Sequence, residues 1–198
     1  RRSSDLGAGV DLTIVWRGWI GSIYNFCNLV SKASGSGISN NPYDVYVDSS
    51  GRLNIVRAAS TDYVVHQFAS SVPATGWYDI VISASSDLTV SPKAYVNGKS
   101  FTATRVFGSI SGPANGNSTN LRIGRRDDSA TQFVGAFERL YLLNRRLDRD
   151  EVLALRGDLN GVFVRPRPVW AMVGAAGGGT DYPVTRTESA DASDTASL

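Results

Sequence analysis

Short runs of alternating apolar and polar residues, each closed by glycine, serine, asparagine or proline, constrain the fold of this chain more than any other feature. In the first long run, Leu12, Ile14 and Trp16 are apolar and lie two residues apart. This spacing places them on one face of a β-strand, because successive side chains of a strand point to opposite faces. Helical periodicity is nearly absent. The pattern therefore predicts an all-β, antiparallel sandwich of two sheets.

Two turns have sequences that favour β-hairpins. Asp48-Ser49-Ser50-Gly51 can place glycine at a position of positive φ, and Asn97-Gly98 is a strong signal for a two-residue turn. With these turns and the apolar runs, the predicted strands are Asp11–Ile20, Cys27–Lys32, Tyr43–Asp48, Arg52–Arg57, Tyr63–Phe68, Gly76–Ala84, Lys93–Val96, Lys99–Val106, Leu121–Gly124 and Thr131–Leu143. In the last strand, alternation puts Ala136, Glu138, Leu140 and Leu142 on one face.

One short helix is predicted after the last strand. Asp148 and Glu151 have the spacing of a capping box, and Gly157 can end the helix. Pro166 and Pro168 confine any later strand to a sheet edge, because proline lacks an amide donor. We expect the sandwich domain to occupy residues 1–174, and residues 175–198 to form a glycine-rich linker and a flexible tail rich in Ser, Ala, Asp and Thr.

Charge and composition exclude two classes of partner. The chain has 20 basic and 18 acidic residues, a balance too even to predict nucleic acid binding. No apolar run approaches the length of a membrane span, so we predict no membrane insertion. Cys27 is the single cysteine and cannot form a disulfide within the chain; the default expectation is a buried, inert thiol.

The order of four sequence blocks carries a family resemblance. These are Leu29-Val30-Ser31-Lys32, the Asp48–Leu53 hairpin, Trp77 with the later Tyr95–Lys99 segment, and the stretch from Leu121-Arg122-Ile123-Gly124 through Gly135–Glu138 to Leu143–Leu147 and Glu151. Through them, residues 11–157 resemble the laminin-G-like, pentraxin-related branch of the concanavalin A-like lectin/glucanase superfamily. The resemblance implies a jelly roll of two curved sheets with a short helix after the last long strand. It also implies that Trp16 and Trp77 are core residues.

The C-terminal residues resemble segments of a second kind. The Arg165–Trp170 stretch and the tail are similar to sequences that follow such domains in proteins of tailed bacteriophages and prophages. This resemblance implies a virion surface protein. Its partners would be other virion proteins, of capsid or tail, or further copies of itself as a homo-oligomer, and a cell-surface glycan is an additional partner to consider.

Catalysis is not expected. Glycoside hydrolysis needs two carboxyl groups at the scissile bond, and the strand that would carry them in glucanases of this superfamily has Glu138 alone. A polysaccharide lyase of this fold would use a histidine such as His66, the single histidine, but a strand histidine satisfied locally is the favoured interpretation. We therefore predict that the protein is not an enzyme, and that it requires no cofactor.

Calcium is an optional ligand that the resemblance implies. Relatives of this type hold calcium at a loop rim with carboxylate and carbonyl oxygens, the ligands that a hard cation prefers. Glu138 falls where relatives often have aspartate, and with Asp127, Asp128 and Asn120 it forms the predicted calcium site. The favoured alternative is that Glu138 accepts hydrogen bonds from turn amides inside the sandwich.

Glycan recognition usually requires an exposed aromatic ring beside polar groups. The candidates near strand ends or loops are Trp19, Tyr24, Tyr43 and Tyr63, with Asn25, Asn40 and Asn41 as polar neighbours. The alternative for each aromatic residue is partial burial against the sandwich. The function predicted from the sequence is a non-enzymatic decoration or adhesion module on a phage virion surface. A bacterial lectin-like domain is the alternative, and a polysaccharide lyase or glycoside hydrolase ranks third.

Overall fold

A computed structural model describes residues 9–23, 26–32, 42–59, 62–108, 113, 120–126 and 133–157, all of which belong to one compact unit within Arg1–Arg165. Within these residues the chain forms eleven strands and one helix. They are β1 (Leu12–Ser22), β2 (Cys27–Ser31), β3 (Asp44–Val47), β4 (Leu53–Ala59), β5 (Asp62–Phe68), β6 (Gly76–Ala84), β7 (Lys93–Val96), β8 (Lys99–Thr102), β9 (Thr104–Phe107), β10 (Arg122–Ile123), β11 (Val134–Leu143) and α1 (Arg149–Gly157). The predicted linker and tail, 175–198, lie outside the described residues.

The strands form two antiparallel sheets, as predicted. Sheet A has the order β11-β1-β6-β7-β8, and sheet B has the order β10-β2-β3-β4-β5-β9. The predicted strand Lys99–Val106 is divided at Ala103, since β8 pairs with β7 in sheet A while β9 pairs with β5 in sheet B. Stacked sheets lie about 10 Å apart, so one continuous strand cannot hydrogen-bond within both. Ala103 is the residue at which the chain passes from one sheet to the other.

The main core lies between the sheets. Alternation directs Leu12, Ile14 and Trp16 inward, as predicted, and the Trp16 ring meets the edge of Phe133 at 5.7 Å between centroids. Other fully buried members come from both sheets: Ile20, Cys27, Leu29, Tyr43, Val45, Val47, Leu53, Ile55, Phe68, Ile80 and Ile82. Burial of this apolar surface is the main stabilising contribution to the fold.

A smaller core lies on the outer face of sheet A, under α1. Val15 and Val81 of the sheet pack against Val152 and Leu155 of the helix. The helix thus covers the part of this face that carries Val15 and Val81. Further along the same strands, the outer face bears charged and aromatic side chains.

The predicted capping box opens this helix. The amide of Glu151 donates to Oδ1 of Asp148 at 2.9 Å, and the amide of Asp148 donates to Oε2 of Glu151 at 3.0 Å. These reciprocal bonds satisfy amides that have no partner within the first turn.

Both predicted hairpins are present. Gly51 has φ of 70° and its amide donates to the carbonyl of Asp48 at 2.9 Å. Asn97 and Gly98 have φ of 51° and 80°, the positive values that a type I′ turn requires at both central residues.

Trp77 is not a core residue, contrary to prediction. In β6 the side chains of Tyr78, Ile80 and Ile82 are buried with the main core. Trp77 alternates with them, so it points outward, and 55% of it is exposed.

The predicted common face of Ala136, Glu138, Leu140 and Leu142 is also wrong. Leu140 and Leu142 pack against the main core, but the register shifts between Arg17–Arg139 and Gly18–Phe137, leaving Glu138 as an extra residue in β11. This β-bulge reverses the alternation. Glu138 consequently points outward, where its Oε2 pairs with Nε of Arg17 at 2.9 Å. Among the described residues its partners are Arg17 and Arg139, and not the turn amides inside the sandwich that the favoured alternative proposed.

Within the part of the chain that the structure describes, no helix is long and apolar enough to cross a membrane.

Candidate functional site

A groove of about 380 Å³ runs over the outer face of sheet B. Its floor follows a row of residues that neighbour one another across four strands, with Asp44 opposite Val56, Val56 opposite Val65, and Val65 opposite Phe107. The lining consists of Phe26, Asn28, Asp44, Tyr46, Val56, Tyr63, Val65, Val106, Phe107 and Arg126. Apolar floor residues and a few polar groups at one end are typical of ligand sites.

Two aromatic pairs line the groove. The rings of Tyr63 and Phe107 are stacked, with centroids 4.7 Å apart and planes 18° apart. Phe26 and Tyr46 meet edge to face at 5.4 Å. Phe26 and Phe107 are each about half exposed, so both pairs include a ring that a ligand can reach.

Phe26 adopts an unusual backbone conformation. Its φ of 61° lies in the left-handed region, which bulky residues rarely adopt. Residues in such conformations are enriched at ligand sites, where surrounding contacts hold them in place. At Phe26 the contact is the ring of Tyr46.

The polar end of the groove is a cluster of three side chains. Nδ2 of Asn28 donates to Oδ1 of Asp44 at 2.6 Å, and Nη1 of Arg126 lies 3.9 Å from Oδ2 of the same carboxylate. Asn28 and Asp44 are both buried. The cluster places an amide, a carboxylate and a guanidinium, in a fixed arrangement, beside aromatic rings.

Tyr46 contributes a neutral hydroxyl to this groove. Burial, then the negative charges of Asp44 and Asp48, raise the pKa of Tyr46 to about 12. The hydroxyl therefore stays protonated at physiological pH and can both donate and accept a hydrogen bond.

The structure separates the predicted aromatic residues. Tyr63 lines the groove, whereas Trp19 lies on the outer face of sheet A. Tyr43 has no exposed surface and belongs to the main core, so its prediction as an exposed sugar-binding ring is wrong. Tyr43 precedes Asp44 and shares the inward side with Val45 and Val47, which is why it is buried. Tyr24 lies outside the described residues, as do Asn25, Asn40 and Asn41.

The predicted calcium residues are only partly described. Asp127 and Asp128 lie outside the described residues. The carboxylate of Glu138 is paired with Arg17 at 2.9 Å and with Arg139 at 3.7 Å. Two guanidinium groups this close neutralise the charge that a cation would need, so Glu138 does not fit the role of calcium ligand.

His66 is not part of an accessible site. It is 2% exposed, faces the interior of the sandwich, and neither ring nitrogen has a hydrogen-bond partner within the described part of the chain. Burial, together with the nearby positive charges of Arg105 and Arg57, lowers the pKa of His66 to about 4. Among the described residues, neither nitrogen has the local partner that the favoured interpretation expected, and the burial of His66 argues further against the disfavoured lyase alternative.

Tyr63 is the one groove residue that the sequence analysis selected for ligand binding; the aromatic and polar groove residues that it missed are Phe26, Asn28, Asp44, Tyr46, Phe107 and Arg126. A signal for Tyr46 was present. If Val45 and Val47 point inward, then Tyr46 between them must point outward, and Tyr43 must not. Phe107 had no such signal, because it reaches the groove through the passage of the chain between sheets at Ala103.

A laminin G family model, described as the concanavalin A-like lectin/glucanases superfamily, matches residues 19–153 of the 198. No curated protein matches this chain in sequence.

Several solved structures share the fold at low sequence identity. The CBM40 of the Ruminococcus gnavus IT-sialidase, bound to alpha2,6 sialyllactose, superposes with a TM-score of 0.55 at 17% identity, covering 74% of this chain and 82% of that one. The leech intramolecular trans-sialidase gives 0.57 at 15%, covering 75% and 23%. Domains LG4-5 of the mouse laminin alpha1 chain give 0.50 at 15%, covering 75% and 40%.

Proposed function

Because the chain belongs to the concanavalin A-like lectin/glucanases superfamily, we propose that it is a non-catalytic glycan-binding domain whose site is the groove on sheet B. The observation that carries this proposal is that one groove combines the stacked Tyr63–Phe107 pair with the Asn28–Asp44–Arg126 cluster at its polar end. Sugar rings offer apolar C–H faces to aromatic rings and hydroxyls to amide, carboxylate and guanidinium groups. The CBM40 structure, which is similar in fold and is solved with bound sialyllactose, supports glycan binding as the function.

The groove does not suit hydrolysis. Among its described lining residues, Asp44 is the single carboxylate, and it is engaged by Asn28 and Arg126. Glycosidases of the usual kind place two carboxyl groups on either side of the scissile bond. A panel of neutral and acidic polysaccharides incubated with the protein should therefore release no product.

A glycan array tests the binding proposal. Tyr63→Ala and Phe107→Ala should each lose the same subset of the glycans that the wild type binds, because each removes one ring of the stacked pair. Phe137→Ala is the matched control, since Phe137 is exposed but lies outside the groove. An array without hits, with and without calcium, would reject the proposal, and the calcium arm decides whether the cation takes part.

The setting in which the domain acts is proposed from the C-terminal sequence. The Arg165–Trp170 stretch and the tail beyond it support display on a phage virion, as a decoration or adhesion module attached to capsid or tail proteins or to further copies of itself. Display as a bacterial surface lectin is the alternative. Electron microscopy of particles labelled with an antibody against the domain distinguishes the two: labelled virions support the first, and label confined to the cell surface supports the second.

A further inference from the structure

Two exposed tryptophans lie side by side on the outer face of sheet A, on the opposite side of the sandwich from the groove. Trp19 of β1 is paired in register with Trp77 of β6. They are 41% and 55% exposed. Paired, exposed tryptophans place a large apolar area in water, which usually marks a binding surface.

The Trp19 ring extends along its own strand towards Gly21. A Cβ atom placed on Gly21 would come within 2.5 Å of Cζ3 and 2.8 Å of Cη2 of Trp19. The six-membered ring therefore occupies the space that a side chain at position 21 would fill. The ring thus lies over Gly21, and 41% of Trp19 remains exposed.

A charge-balanced cluster borders the tryptophans. Arg17 pairs with Glu138 at 2.9 Å and with Asp79 at 3.5 Å. Arg139 pairs with the same two carboxylates, at 3.7 Å and 3.9 Å. Two positive and two negative charges cancel, yet all four side chains are partly exposed and present fixed donors and acceptors.

We propose that this Trp19–Trp77 face is a second binding site, which takes a neutral polysaccharide lying across β1 and β6. Flat indole faces favour stacking of hexose rings, and two adjacent indoles favour a chain of them over a single sugar. The bordering cluster has no net charge, so it offers hydrogen bonds to hydroxyls without attracting an acidic ligand. This proposal does not rest on the groove, so an experiment can disprove one of the two sites and leave the other in place.

Affinity electrophoresis in gels that contain hydroxyethyl cellulose or dextran, both uncharged glucans, tests the proposal. Wild-type protein should be retarded by at least one of them. The double variant Trp19→Ala/Trp77→Ala should lose at least about tenfold in affinity, which corresponds to about 1.4 kcal/mol. The control Val90→Ala, which removes an exposed apolar side chain outside both the groove and the tryptophan face, should be retarded like the wild type. The groove variant Phe107→Ala shows how much of the retardation arises in the groove.

Gly21→Ala is a more specific variant, because it keeps both indoles and displaces only the Trp19 ring from its position over Gly21. It should weaken retardation without abolishing it. Acrylamide quenching of the wild-type tryptophan fluorescence gives a measurement that needs no variant: the bound glucan should shield the exposed rings.

Three results would overturn the proposal. One is a wild type that neither glucan retards or shields from acrylamide. Another is a double variant that binds like the wild type while the groove variant does not. The third is a wild type that sediments as a dimer and a double variant that sediments as a monomer, because the face would then be a contact between copies of this chain.

Discussion

The side-chain amide of Asn28 donates a hydrogen bond to the carboxylate of Asp44 at 2.6 Å, and both residues are buried at the polar end of the groove. A buried carboxylate is tolerated when charged and hydrogen-bonding partners replace the water that it loses. Asn28 and Arg126 are such partners. The relationship makes Asp44 a residue on which both the shape of the groove and the stability of sheet B depend.

Replacing Asp44 by alanine should lower the free energy of unfolding by about 2 kcal/mol, because the buried Asn28 amide loses its acceptor. Urea unfolding measures this loss. Asp62→Ala is the control, since Asp62 is exposed at the start of β5, and it should change stability by less than about 0.5 kcal/mol. Equal stability of the two variants would contradict the role given to Asp44.

Stability should fall on mild acidification because of His66. Its pKa is about 6.5 when unfolded and about 4 when folded, so below pH 6.5 the unfolded chain takes up the proton first. Above pH 6.5 the imidazole is neutral in both states, and His66 does not lower the free energy of unfolding. As the pH falls from 6.5 towards 4, the free energy of unfolding decreases by up to about 3 kcal/mol. Chemical denaturation at several pH values measures it. His66→Gln should show a shallower decline over this window, and an unchanged slope would refute the assignment.

Gly51→Ala should destabilise the β3–β4 hairpin. Gly51 has φ of 70°, and a Cβ atom there would lie 2.3 Å from the carbonyl oxygen of Val72. Both the backbone conformation and the contact disfavour a side chain, so we expect a loss of at least about 1 kcal/mol in thermal or urea unfolding. Ser50→Ala, at the exposed neighbouring position, should be close to neutral.

The thiol of Cys27 should react with a maleimide only when the sandwich opens. Cys27 is fully buried, and burial, offset in part by a backbone hydrogen bond from Val134, raises the pKa of its thiol to about 11. The raised pKa suppresses the reactive thiolate, and burial keeps the maleimide away from the sulfur atom. Mass spectrometry should find almost no label at neutral pH without denaturant and complete label above the urea midpoint. Rapid labelling of the native protein would show that this part of the core is open.

Features encoded in neighbouring residues were predictable. Asp48 to Gly51 and Asn97-Gly98 specify their turns through backbone conformation, and Asp148 with Glu151 specifies the start of α1. Each signal lies within four residues, so no knowledge of partner strands is needed. Alternation likewise predicted that Leu12, Ile14 and Trp16 share one face, and that face is the buried one.

Features that depend on a partner strand were not predictable. The outward direction of Glu138 follows from a bulge that arises only when β11 pairs with β1. The groove joins side chains from β3, β4, β5 and β9, so no local motif records it. Trp77 was assigned to the core by family resemblance, although alternation with Ile80 and Ile82 indicated the reverse.

The crossing at Ala103 connects sheet A to sheet B through a single residue. β8 ends directly before Ala103 and β9 begins directly after it. The two sheets therefore cannot separate unless β8 loses its pairing with β7 or β9 loses its pairing with β5. Phe107, which lines the groove, lies only four residues after Ala103 and is thereby connected to sheet A. A ligand that restrains Phe107 should therefore also slow amide hydrogen exchange in β7 and β8, although these strands lie in sheet A and do not contact the ligand.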